Sequence, residues 1–110
     1  MKSTITTIQE TAKEAVEAAC MAIRNRRAVE VIGGGTSSLV FAHAVGEDTE
    51  GRVVLYGHEM RLDKDFVFGW RVFYFDDLLF IRIIERKSKA PLAGYNRSDS
   101  SIIRMYEEVS

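Results

Sequence analysis

The chain carries one cysteine and one proline in 110 residues. A lone thiol closes no intramolecular disulfide and builds no thiolate zinc site, so neither staple stands behind the fold. Such cysteine usage fits a reducing compartment, and a cytoplasmic location is expected. Long apolar runs are also missing. None approaches the ~18 residues of a membrane-spanning helix, and no signal peptide precedes the first expected helix. Neither sign of charge is in excess: 15 Lys and Arg stand against 16 Asp and Glu, a net charge of -1. Binders of nucleic-acid polymers or of membrane surfaces normally carry a basic excess, which disfavours both partners. No internal repeat or low-complexity segment is present.

What is present is ordinary globular material. Hydrophobic residues at 46% and charged residues at 28% exclude wholesale disorder and fibrous repeats. The length predicts one domain, residues 1–110, since a second core would need roughly 100 residues more.

Residues 4–27 read as a helix. Ile5, Ile8, Ala12, Ala15, Ala19 and Ala22 recur at steps of three and four, widened by Val16 and Ile23. Thr7 and Glu10 have the spacing of a capping box. The stripe is mostly alanine, so the helix should lie close against a sheet, with Cys20 as a packing residue on that surface.

The middle reads as strands over 29–32, 39–45, 52–62, 66–75 and 78–87, with 39–45 open to a short helical alternative. The polar breaks between the last three runs are too short for crossover helices, which predicts antiparallel hairpins. Eight of the eleven aromatic residues lie between Tyr56 and Phe80, as suits a sheet. After Pro91 and the turn-like residues 94–97, Ser98 or Asp99 is expected to cap a short final helix carrying Ile102, Tyr106 and Val109. The fold class is therefore α+β: an N-terminal helix on a four- to five-stranded antiparallel sheet, with a short C-terminal helix.

Register follows from the turns. A three-residue loop at 63–65 sets His58 opposite Trp70 and Tyr56 opposite Val72. A two-residue loop at Asp76 and Asp77 sets Phe73 opposite Phe80 and Arg71 opposite Arg82. One face then holds Val54, Tyr56, His58, Met60, Phe66, Phe68, Trp70, Val72, Tyr74, Leu79, Ile81 and Ile83, and the helix is its natural cover. The other face is half apolar (Val53, Leu55, Phe73, Phe75, Leu78 and Phe80), with Glu59, Arg61, Arg71, Arg82 and Arg86 beyond. Exposed, those apolar side chains would exceed what a monomer tolerates, so the tail helix, a second copy or a ligand should cover them.

The chemistry candidates are few. Arg71 opposite Arg82 would need a shared anion, either Glu59 or a bound phosphate or carboxylate, with Phe73 and Phe80 as stacking neighbours. Tyr95, Asn96, Arg97 and Arg104 in the tail add possible edge contacts. Gly34, Gly35, Thr36 and Ser37 follow a strand-like run and offer amides and hydroxyls to a phosphate, but neither a dinucleotide nor a P-loop pattern is complete. His58 reads as a packed residue beside Trp70, while His43 lacks any spacing that supplies it a carboxylate or second ligand. Asp76 and Asp77 read as turn formers, and no nucleophile sits with a base. No metal or other cofactor is implied. These residues suggest a non-enzymatic, homo-oligomeric binding module for a small anionic or nucleotide-like ligand. The alternative is an inhibitor- or adaptor-like domain that docks a macromolecule through an aromatic patch.

Overall fold

The computed structural model describes residues 4–60, 69–77 and 79–110, with side chains from Ala12 onward. The expected capping box of Thr7 and Glu10, the 63–65 turn, Arg61, Phe66, Phe68 and Leu78 lie outside the described residues or side chains. Helix α1 (Thr4–Arg24) leads into β1 (Arg27–Gly33), β2 (Thr36–Asp48), β3 (Val53–Glu59) and β4 (Gly69–Tyr74). A 3₁₀ turn (Phe75–Asp77), β5 (Phe80–Lys87), a second 3₁₀ turn (Arg97–Ser100) and β6 (Ile102–Glu108) complete the order. All pairings are antiparallel, in a six-stranded sheet ordered β4-β3-β2-β1-β5, with β6 added on β2.

Helix α1 stops where Arg26 enters the left-handed region at φ 57°. Its alanines do what small side chains allow. Ala15, Ala19 and Ala22 are buried against Val29, Val31, Val40 and Val45, so the helix backbone lies close to the sheet. The face under α1 carries Leu55, Phe73 and Phe75, not the Tyr56 and Trp70 face to which the helix was assigned. The part of the apolar half-face formed by Leu55, Phe73 and Phe75, for which the tail helix, a second copy or a ligand was expected as cover, is thus covered by the chain's own first helix. Inverting the cover left the β3–β4 register intact: His58 opposes Trp70 and Tyr56 opposes Val72, as expected.

Two expectations fail. β5 pairs with β1 rather than β4, so the Asp76–Asp77 segment is not a hairpin. It carries the chain from one edge of the sheet to the other, with Phe75 and Leu79 buried along the way. Residues of β1, of the β1–β2 hairpin and of β4 line one cleft, so the sheet brings its β4 edge back toward β1. The second failure is the C-terminal helix: residues 102–108 form β6. Its pairing with β2 contains two register shifts, and these bulges break the period-two alternation into spacings that imitate a helix.

The long strand β2 is the hub. Its first part pairs with β1 and its last part with β6 on the same side, while β3 lies along the other. The 39–45 segment is therefore strand throughout, with a bulge at His43. Gly46 admits β6, since a Cβ there would stand 2.3 Å from the Arg104 carbonyl. Residues 88–101 leave β5 and cross the face opposite α1 as a strap. Ala90, Leu92 and Tyr95 of this strap pack on Phe41, Tyr56 and Trp70.

Candidate functional site

The β1–β2 hairpin and the β4–β5 connection enclose a cleft of about 290 Å3 on the α1 side of the sheet. That is the small end of the range for ligand pockets. Gly34 and Gly35 form the hairpin tip, with φ of 61° and 79°, the double left-handed geometry of a type I′ turn. Thr36 closes it by donating its hydroxyl to the Gly33 carbonyl at 3.0 Å. The glycine run therefore opens a strand and presents no helix N-terminus to an anion.

Arg71 forms the opposite wall. Its guanidinium lies 4.5 Å from the centre of the Phe73 ring and donates to Glu59 Oε1 at 3.1 Å. Glu59 is 2% exposed, so a buried carboxylate fixes one side of a half-exposed arginine. Arginine has five N–H donors, and only this one carboxylate holds Arg71 among the described residues. Asp77 stands at the same cleft, with Ser38 and Leu79 deeper in. Two carboxylates and one guanidinium thus border this part of the fold, and only Glu59 is paired with Arg71 among the described residues. A bare anion must compete with Glu59, whereas a molecule that brings both an acid and a donor meets complementary groups at Arg71 and Asp77.

Of the residues expected to bind, Arg71, Phe73, Gly34 and Thr36 come together at this cleft. Arg82 does not. It sits on the far edge and the opposite face, where it holds Glu30 Oε1 at 2.7 Å while Ser37 donates to the same carboxylate. Phe80 points away from the cleft's arginine and is 60% exposed, so Phe73 and Phe80 form no shared stacking platform. Gly35 belongs only to the turn.

The tail residues form a separate cluster on the strap side. Tyr95 donates its hydroxyl to Glu108 Oε2 at 2.6 Å, and Arg97 reaches both oxygens of that carboxylate. The Arg97 bonds hold the Glu108 carboxyl below its usual range, while burial and the same contact push the Tyr95 phenol up. Asn96 accepts from Ser98 N at 3.0 Å and caps the second 3₁₀ turn. Arg104 pairs with Glu47 at 3.6 Å. These contacts bind the chain to itself.

His43 is fully buried beneath the strap. Its Nε2 accepts from Leu92 N–H at 3.0 Å, which leaves Nδ1 to carry the proton it donates to the Phe41 carbonyl at 2.8 Å. Both nitrogens are committed, and burial lowers the imidazole pKa. Trp70 stands edge-on at 4.7 Å. His58 also stands edge-on to Trp70, as expected, at 5.1 Å. Cys20 packs beside the α1 core, and burial raises its thiol pKa.

The sequence reading missed Asp77 at the cleft. The aspartate doublet was visible, but a turn explained it. Among the described residues, no three His, Cys, Asp or Glu side chains gather to hold a metal. No helix there is long and apolar enough to cross a membrane. No protein-family model matches the chain, and no curated protein or solved structure is significantly similar to it.

Proposed function

We propose that the protein is a non-enzymatic, homo-oligomeric binding module whose hairpin cleft takes a small molecule with an acidic group and a hydrogen-bond donor. The observation that carries this reading is Arg71, set over the Phe73 ring, anchored on one side by Glu59 and lining the same cleft as Asp77. The acid, a phosphate or carboxylate, meets the remaining guanidinium donors and the Thr36 hydroxyl. An amine or hydroxyl on the same molecule meets Asp77. Adenosine monophosphate and O-phosphoserine both have this pattern, and inorganic phosphate has only half of it. The non-enzymatic part rests on His43, whose Nε2 holds the strap at Leu92 and whose Nδ1 is committed to the Phe41 carbonyl of β2.

Melting curves in the three compounds test the reading. Binding raises the melting temperature by mass action. AMP or O-phosphoserine should stabilise the protein more than phosphate does, and Asp77→Asn should erase that difference without touching the core. Indifference to all three at millimolar concentration rejects the cleft as an acid site. A second reading, an adaptor-like domain that docks a macromolecule, draws on a different observation: Phe80 and Ile103 are large, apolar and mostly exposed.

A further inference from the structure

The outer side of β5 is open. This strand ends the sheet order and pairs only with β1 among the described residues, regularly over Phe80–Ile83 and with a register irregularity between Ile83 and Lys87, so one row of its backbone donors and acceptors has no strand beside it. Along the start of that edge runs a groove of about 320 Å3 between α1 and β5. Ala15 and Ala18 form its helix side, Leu79 and Ile81 its floor, and Glu14 and Phe80 also border it. We propose that this edge pairs with the same edge of a second copy, forming a two-fold dimer in which the two β5 strands run antiparallel about Ile83.

Charge selects the register. A two-fold axis through an antiparallel pair keeps each residue on its own face, so only residues of the same parity can oppose one another. Centring on Arg82 sets Arg82 against itself, and centring on Glu85 does the same to that carboxylate. Centring on Ile84 sets Arg82 against Arg86. Like charges directly opposite repel. Centring on Ile83 opposes none of them, and the charges that guard this edge against indiscriminate pairing leave that register open.

In that register Leu79 meets Lys87 of the partner subunit, and Phe80 meets Arg86 of the partner subunit. Ile81 and Ile83 pack toward α1, so the odd-numbered residues face the helix side. The ammonium of the partner's Lys87 therefore enters the groove that contains Glu14. On the other face, the aliphatic stem of the partner's Arg86 covers the ring of Phe80. The dimer supplies an opposite charge to Glu14 and a lid to Phe80. It deepens the oligomeric part of the reading above and does not depend on the cleft ligand.

Glu14, Phe80 and Lys87 are all exposed, so substitutions there leave the core intact. Sedimentation equilibrium of the full chain should give twice the chain mass at micromolar concentration. Phe80→Lys, which faces the partner's Arg86, should weaken the dimer about tenfold or more. Lys87→Glu should weaken it similarly by setting a carboxylate against Glu14, and Glu14→Lys combined with Lys87→Glu should restore it. A wild type that stays monomeric into the hundred-micromolar range overturns the proposal. A dimer indifferent to Phe80→Lys and Lys87→Glu overturns it too, and a charge swap that fails to rescue overturns the register. AMP melting curves of the same variants separate the two ideas: a monomer that still responds to AMP keeps the cleft, and a dimer that ignores AMP keeps the interface.

Discussion

The two faces of the sheet are closed by different physics. On one, α1 lays alanines against Leu55, Phe73 and Phe75, and the contact is dry, apolar and non-directional. On the other, the strap of residues 88–101 is held by placed hydrogen bonds: Leu92 to His43, and Tyr95 and Arg97 to Glu108. Apolar burial grows with area and is indifferent to pH, whereas a bond to an imidazole or a carboxylate lasts only while that group keeps its protonation state. One sheet therefore has a cover that responds to volume and a cover that responds to protons. Conformational opening under mild stress should begin at the strap.

The largest effect belongs to the helix face. Phe73→Ala empties a buried ring site and should cost about 3–5 kcal/mol in denaturant titrations. A loss under 1 kcal/mol would mean that the α1 face is not the apolar anchor described here.

Acid should act on the strap face. Above the ordinary imidazole pKa of about 6.5, His43 is neutral in both folded and unfolded chains and its bonds hold. Because burial lowers its folded pKa, the unfolded chain takes up a proton first as the pH falls below that value. Stability is thus full above 6.5 and declines with falling pH until the folded pKa is passed. Each pH unit separating the two pKa values costs about 1.4 kcal/mol. The other titratable rings around this nest are Tyr56, His58 and Tyr95, and Trp70, the single tryptophan, reports on it by fluorescence. Hydrogen exchange at the Leu92 amide should rise in this range before exchange in β2 and β3. His43→Gln, which keeps an acceptor but cannot titrate, should flatten the response. Uniform exchange across both faces would remove the distinction between them.

Smaller effects sharpen the picture. Tyr95→Phe keeps the ring but loses the bond to Glu108, and should cost about 1 kcal/mol. Its effect should shrink at low pH, where protonation of Glu108 weakens the same contact. Asn96→Ala removes the cap of the second 3₁₀ turn and should cost about 0.5 kcal/mol, read as faster exchange at Ser98 N–H.

Legibility in the sequence follows the same division. The alanine stripe announced a helix that lies close on a sheet, because period and side-chain size are local properties. The β3–β4 register was also readable: Tyr56 opposes Val72 and His58 opposes Trp70, as the alternation of the two runs implied. Neither the place of β5 nor the strap could be read. Arg82 looked like the partner of Arg71 only while the Asp76–Asp77 turn was taken as a hairpin, and nothing local states that the chain crosses the sheet there. His43 finds its acceptor role through Leu92, 49 residues away, without any motif to mark it. Four of the twelve expected site residues, Arg71, Phe73, Gly34 and Thr36, converge at one cleft. Arg82 and the tail residues were drawn into ion pairs and turns elsewhere.

The hub position of β2 bears on how the chain is made. Its pairing with β1 can form soon after synthesis of the hairpin, since Gly34 and Gly35 join the two strands directly. Its last stretch waits for β6, half the chain length away, and closing so long a loop is entropically slow. During translation, the segment from Ala44 to Asp48 therefore emerges with one flank bare and stays so until residues 102–108 have followed it. A nascent-chain complex stalled before residue 102 should be more readily cut by protease near this segment than the released protein, which makes β6 the strand that secures this flank.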